Sequence, residues 1–266
     1  LTQNITLYAK WTEIHTHEPE INIEDIVFDL LNQSEVKDIL FQDVNVMELF
    51  EYQLTQMIQK TSQSVVMVDV FNGSQIQGGG SGVIYNKIGN TYYLLTNQHV
   101  TDGFQTNDFR VTVFLENKTV TIPRNQVVLL GESVTHDLAV LRFYSLENIP
   151  VIPMASYNDL RQGQLVFAIG SPLDLPNTVS MGMLSYYDRF MWDQFGMATY
   201  TIQHTASINP GSSGGALVDI YGRLIGINTM SYVDEYVGEG INSLHFSIQI
   251  DVILENLNDL EMGTAS

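Results

Sequence analysis

The chain has 266 residues, 44% of them hydrophobic, and is long enough to bury a sizeable core in one large domain or two smaller ones. Eleven basic residues against thirty acidic ones leave a net charge of −19, which argues against nucleic acid or anionic lipid as a partner, since phosphate contacts need Lys and Arg. The chain has no cysteine, which excludes disulfides, Cys-based zinc sites and thiol catalysis, and no run approaches the roughly 18 apolar residues of a membrane-spanning helix.

In chain order, residues 1–11 alternate like a short β-strand, and polar residues 12–21, with Pro19, read as a linker. His15 and His17 would share one face of an extended segment, but no third ligand has clear spacing, so no metal is expected. Residues 22–62 read as a helical extension. Ile23, Ile26, Val27, Leu30 and Leu31 form one amphipathic stripe. Asn45 followed by Glu48 is a capping-box spacing that opens a second helix through about Lys60, with Leu49, Phe50, Leu54, Met57 and Ile58 as its apolar face. These helices serve either as a brace on the β-rich remainder of the chain or as a regulatory or oligomerisation arm.

From residue 64 the pattern becomes short β runs between turns. The first set is 64–70, 80–85, 92–96, 110–115, 120–122, 127–130 and 138–143. The second is 164–169, 179–185, 199–205, 216–219, 223–228 and 244–250. Two such sets suit two Greek-key barrels, about 63–150 and 160–250, joined by a crossing connection over 151–161 and closed by a short helix at 251–260. Residues 186–197, Y-Y-D-R-F-M-W-D-Q-F-G-M, are read as an aromatic loop, either packed inward or serving as a docking or activation element.

Three segments carry chemistry. Residues 209–217, N-P-G-S-S-G-G-A-L, set Ser213 among glycines, a composition that permits a tight turn exposing a hydroxyl beside backbone N–H groups. His99 follows the strand-like run 91–95, and Asp137 directly precedes another, 138–143. The chain order His, Asp, Ser is that of chymotrypsin-like folds. With L-L-T-N-Q-H-V (94–100), D-L-A-V-L (137–141), A-I-G-S-P (168–172), I-N-P-G-S-S-G-G-A-L (208–217) and I-G-I-N-T (225–229), the chain resembles trypsin-like serine proteases of the HtrA (Deg) type over about residues 55–258. Two positions depart from the family's pattern, which usually has Asn at Ser212 and Pro at Ala216; neither change removes a backbone donor.

The resemblance implies a mostly β, chymotrypsin-like double Greek-key barrel with an N-terminal helical extension, and a serine endopeptidase that works through an acyl-enzyme without metal or cofactor. It assigns His99 as general base, Asp137 as its orienting partner, Ser213 as nucleophile, and the N–H groups of Gly211, Ser212 and Ser213 to the oxyanion hole. The substrate pocket would be built from Ser207, Asn209, Asn228, Thr229 and Leu244. With no carboxylate at Ser207 or Leu244, cleavage after Lys or Arg is not expected; Leu244 would floor a shallow pocket for small or medium aliphatic side chains. His136, beside the aspartate, is read as facing solvent, and His204 and His245 as structural.

Residues 1–11, which end in I-T-L-Y-A-K-W, resemble the closing strand of a Listeria–Bacteroides (InlB B-type) surface repeat. With no initiator Met at Leu1, the chain reads as an excised piece of a longer, cell-surface or extracellular protein of a Gram-positive-type bacterium. The expected partner is a polypeptide substrate, with a homo-oligomer left open. The rival reading is a catalytically silent protease-fold binding or adhesin module.

Overall fold

Hydrophobic residues that alternate between two cores explain most of this fold. The computed structural model describes residues 46–172, 175–192, 196–231 and 244–265. The sequence readings for 1–11, 12–21 and 22–33, together with His15, His17 and Asn45, lie outside the described residues. Two units divide the chain, Leu1–Glu51 and Tyr52–Ser266, and among the described residues the strands belong to the second.

The first half is a seven-stranded antiparallel sheet. Its strands are β1 (Val65–Asn72), β2 (Gln75–Ile88), β3 (Thr91–Thr96), β4 (Phe109–Leu115), β5 (Lys118–Ile122), β6 (Val127–Ser133) and β7 (Leu138–Tyr144). They lie in the order β5-β4-β1-β2-β3-β7-β6. The sheet curls so that β6 returns to the loop before β4. There the Asn107 N–H donates to the Val127 carbonyl at 3.5 Å and the Leu129 N–H to Thr106 Oγ1 at 3.1 Å.

The second half is a closed barrel of β8 (Leu165–Gly170), β9 (Thr178–Trp192), β10 (Ala198–His204), β11 (Ala216–Val218), β12 (Leu224–Ser231) and β13 (His245–Gln249), in the order β10-β13-β12-β11-β8-β9.

Period-two geometry shares each central strand of the first half between two cores. Ile84, Leu94 and Leu141 face inward with Val66, Phe109 and Phe143. Their chain neighbours Val83, Leu95 and Val140 face the other way, into one cluster with Ile169, Leu217 and Ile227 of the barrel. The runs 94–95 and 138–141 are therefore continuously apolar because both faces are buried, not because they sit in a parallel sheet.

The connection between the halves stitches to both. The Ile152 N–H donates to the Ile84 carbonyl at 2.9 Å, and Leu224 exchanges bonds with Pro153 and Ala155 at 2.7 and 3.0 Å. The closing helix, Ile250–Met262, buries Ile250, Val252, Ile253 and Leu260. It ends on Gly263 in the left-handed region. Tyr85, on β2, donates its hydroxyl to Glu261 at 2.8 Å, and burial pushes the phenol far above its ordinary range.

Helix α1 spans Val46–Ser62. Its Leu54, Met57 and Ile58 pack on the barrel-side cluster, whereas Leu49 and Phe50, expected on the same apolar face, are exposed.

Two expectations for strand length change. Strand β2 starts at Gln75, not Gly80. More consequentially, the stretch 186–192, read as loop, continues β9 for seven residues and pairs with β10, Trp192 opposite Ala198 and Phe190 opposite Tyr200. The reason is local: aromatic side chains favour strands and pair across them, as the Phe190 and Tyr200 rings do at 5.3 Å. Tyr187 packs on the barrel-side cluster, whereas Phe190, Trp192 and Tyr200 remain exposed, so the far end of this segment is not inward-packed.

Candidate active site

His99 lies in a one-turn helix, α2 (Gln98–Thr101), that begins directly after β3. Buried Asn97, between strand and helix, donates its side-chain amide to the Asp137 carbonyl at 2.9 Å. Asp137 closes the four-residue turn between β6 and β7, with φ at 51°. A non-glycine residue there is strained by roughly 1–2 kcal/mol. The conformation sends the carboxylate back beneath His99. His99 Nδ1 is 3.0 Å from both carboxylate oxygens, and the His99 backbone N–H donates to Oδ1 at 3.0 Å. Because the carboxylate only accepts, Nδ1 must carry the proton, which leaves Nε2 as the basic nitrogen.

Thr229, on β12, donates its hydroxyl to Asp137 Oδ2 at 2.6 Å. Asp137 is nearly buried and His99 half open to solvent. The aspartate belongs to the first half and this donor to the second, so the barrel helps hold the first half's carboxylate.

Ser213 sits in the loop before β11. A Cβ on Gly214 would stand 2.2 Å from the Ser81 carbonyl oxygen and 2.3 Å from Thr96 Oγ1, so this position, at φ 82°, admits only glycine. The Ser213 hydroxyl is turned to the Thr229 carbonyl at 3.3 Å. His99, Gly211 and Ser213 line one cavity of about 470 Å³ with Gly78, Gly79 and Phe104. On the other side of the imidazole, Val134, Asp137, Met197, Thr229 and Met230 line one of about 630 Å³.

The loop before the serine is a tight turn: the Ser212 N–H donates to the Asn209 carbonyl at 2.8 Å, and the Asn209 N–H to Ser212 Oγ at 3.3 Å. The Ser212 N–H is therefore committed, which corrects its assignment to the oxyanion hole. Among the described residues the N–H groups of Gly211 and Ser213 donate to no carbonyl.

Ser81 is a residue that sequence reasoning missed. It is buried on β2 and makes four bonds to the site. Its hydroxyl donates to the Gly211 carbonyl at 2.7 Å and accepts from the Ser171 N–H at 2.8 Å. Its own N–H donates to the Ser213 carbonyl, and its carbonyl accepts from Thr96 Oγ1, both at 2.8 Å. The available signal was a serine between two glycines inside an apolar strand, a pattern that marks close backbone approach.

Of the expected pocket residues, Ser207, Asn209 and Asn228 line a cavity of about 80 Å³ with Ile169, Ser180 and Ser212. Thr229 instead lines the cleft beside His99, and half-buried Leu244 is not among the walls of the small cavity. Strand β8 and the start of β9 supply other walls of it. A strand contributes alternate residues to a pocket, and only three-dimensional register settles which strand supplies the base. Behind Asn228, the Ser247 hydroxyl donates to Asn228 Oδ1 at 2.9 Å and lies 2.9 Å from His204 Nε2. Burial lowers the His204 pKa to about 3, with neighbouring His245 adding to the shift, so the ring is neutral. At the rim, Glu132 lies 2.5 Å from Thr101 Oγ1. Burial raises the Glu132 pKa, the Thr101 bond opposes that shift and Asp102 adds to it.

His136 does not face solvent, contrary to the sequence reading. It is half-buried, with Nδ1 3.2 Å from Thr199 Oγ1 on β10.

Comparison with known proteins agrees with this architecture. A family model described as a trypsin-like peptidase domain matches residues 80–227, more than half of the chain. The chain is 36% identical over 216 residues to Protease Do-like 5, chloroplastic, of Arabidopsis thaliana, covering 78% of this chain and 65% of that one. It is 37% identical over 187 residues to the serine protease Do-like HtrA of Lactobacillus helveticus, covering 68% and 42%. The crystal structure of Deg5 superposes with a TM-score of 0.65 at 29% identity, covering 81% of this chain and 97% of that one. The chain thus spans from about two fifths to just under two thirds of these curated relatives. On the family match, the chain belongs to the trypsin-like peptidases, and it is similar to serine proteases of the Do-like HtrA type.

Proposed function

We propose that this chain hydrolyses peptide bonds of polypeptide substrates through an acyl-enzyme, using Ser213, His99 and Asp137. The observation that carries the reading is the seating of Asp137, whose carboxylate meets His99 Nδ1 at 3.0 Å and Thr229 Oγ1 at 2.6 Å and so presents Nε2 to the cavity that holds Ser213. Rotation about the Ser213 Cα–Cβ bond swings the hydroxyl from the Thr229 carbonyl toward His99. The oxygen attacks the scissile carbonyl carbon while Nε2 takes its proton, and the imidazolium then protonates the leaving amine. The N–H groups of Gly211 and Ser213 supply the oxyanion donors, each worth roughly 2.7–4 kcal/mol in the transition state. Water reverses the sequence and releases the acid.

The uncharged walls of the small cavity, Ser207, Asn209, Ser212 and Asn228 among them, fit small or medium aliphatic residues before the scissile bond better than Lys or Arg. The resemblance of residues 1–11 to the end of a surface repeat supports a cell-surface or extracellular site of action.

A fluorophosphonate probe tests the reading. The wild-type chain should label covalently at one serine and cleave an unfolded protein substrate, and Ser213→Ala should do neither while keeping its thermal transition. A folded wild type that neither labels nor cleaves would favour the silent binding module.

A further inference from the structure

We propose that His136 is a positioning residue for Asp137: it latches the turn that presents the aspartate onto strand β10 of the second barrel. The inference rests on the triad reading above.

The turn over residues 134–137 must hold a strained residue against two partners in opposite halves of the fold. Its internal bonds are long. The Asp137 N–H reaches the Val134 carbonyl at 3.2 Å, and the His136 N–H reaches Ser133 Oγ at 3.3 Å. Its external bonds run in register to two consecutive residues of β10. The Ala198 N–H donates to the Thr135 carbonyl at 2.8 Å, and His136 Nδ1 pairs with Thr199 Oγ1 at 3.2 Å. Val134 closes on the same segment, since a Cβ on Gly196 would stand 3.2 Å from Val134 Cγ1.

Thr199 is 1% exposed, so in the intact fold its hydroxyl is shielded from solvent and takes the imidazole as partner. On the other side, Glu255 of the closing helix bears on the ring. Burial lowers the His136 pKa and Glu255 opposes that shift, so the ring is neutral at pH 7 and exchanges one hydrogen bond with Thr199.

The consequence is directional. Without the imidazole the turn keeps its strand ends and the Thr135 bond but loses its only side-chain tie to β10 among the described residues. The Asp137 carboxylate can then drift from His99 and Thr229, and with it the orientation of the general base. Ser207, Asn209 and Asn228 lie on other elements, so substrate binding is left as it was.

The test compares the full chain with His136→Ala, His136→Asn, Thr199→Val and the Ala/Val double variant. Each is assayed for kcat and KM on one peptide, with active sites counted by complete fluorophosphonate titration. Since a misplacement of about 1 Å can cost up to about 10²-fold, we expect His136→Ala and Thr199→Val each to lower kcat about tenfold, with KM unchanged. The double variant should be no worse than the poorer single, and His136→Asn, which keeps a polar atom near the Nδ1 position, should recover most of the loss. Unchanged kcat in both single variants would overturn the latch. So would a loss expressed in KM, a loss that tracks thermal unfolding, or an Asn variant no better than Ala. Should His136→Ala not fold, the near-isosteric Thr199→Val decides alone. A wild type without turnover would instead refute the triad reading, which separates the two failures.

Discussion

Thr229 on β12 donates its hydroxyl to Asp137 on the β6–β7 turn at 2.6 Å, within buried surroundings and across 92 residues of sequence. The bond ties the barrel that carries Ser213 to the half that carries His99 and Asp137. It also satisfies a carboxylate lone pair that burial would otherwise leave costly.

Removing that donor should therefore weaken catalysis without removing the triad. Thr229→Val keeps the shape and loses the bond, and Thr229→Ser keeps the bond. We expect kcat to fall about tenfold or more in the Val variant and to stay near wild type in the Ser variant, because hydrogen bonds to charged groups are worth roughly 1.5–3 kcal/mol. Steady-state kinetics on one peptide checks this, and equal rates for Val and Ser would contradict it.

Ser81 makes a second cross-fold tie. Ser81→Ala should leave the Gly211 carbonyl and the Ser171 N–H without their buried partner. The expected cost is about 1–3 kcal/mol of stability together with a lower kcat, since the same loop carries the N–H groups proposed as oxyanion donors. Chemical denaturation and single-turnover acylation read the two effects separately. Wild-type acylation in a destabilised Ser81→Ala would show that the bond serves folding alone.

Peptides with Ala, Val, Ile or Leu before the scissile bond should be cut faster than those with Lys or Arg. No carboxylate lines the small cavity beside Ser212, and a buried cation without a counter-charge is costly. A cleavage profile of a peptide library is the measurement, and dominance of Lys or Arg would refute the assignment of this cavity.

His204 should make stability pH-dependent. Its folded pKa of about 3 lies below the ordinary 6.5, so below about pH 6.5 the unfolded chain binds the proton more readily. Its contribution is complete above that pH and is lost as pH falls toward 3, at up to about 1.4 kcal/mol per unit. The half-buried His136 adds to the trend, whereas Glu132 and Asp251, whose pKa values are raised by burial, oppose it at lower pH. Denaturation midpoints at pH 7 and 5.5 should fall more steeply for the wild type than for His204→Gln; parallel slopes would count against a neutral buried ring.

Truncation tests the N-terminal residues. Deleting 1–20 should leave the thermal transition of the strands almost unchanged. Deleting 1–60 also removes Leu54, Met57 and Ile58, which pack on the barrel-side cluster, and should lower the transition sharply, because each large apolar side chain is worth roughly 1.5–3 kcal/mol when fully buried. Equal transitions for the two truncations would make the helix a detachable arm.

What the sequence determined by itself was local. Period-two runs bounded by turns placed thirteen strands in two sets, and the glycines around Ser213 marked a tight turn. The phrases around His99, Asp137 and Ser213 pointed to one family. Tertiary structure decided the rest, because the deciding bonds join distant segments. The segment 186–192 became strand once β10 lay beside it, His136 was covered once the turn met Thr199, and the Ser212 N–H was consumed by the turn that exposes Ser213. Thr229 and Ser81 looked like a pocket wall and a strand serine. Their partners, Asp137 and Gly211, lie 92 and 130 residues away and meet them only when the two halves close, since a hydrogen bond depends on position in space and a sequence pattern reports only neighbours along the chain.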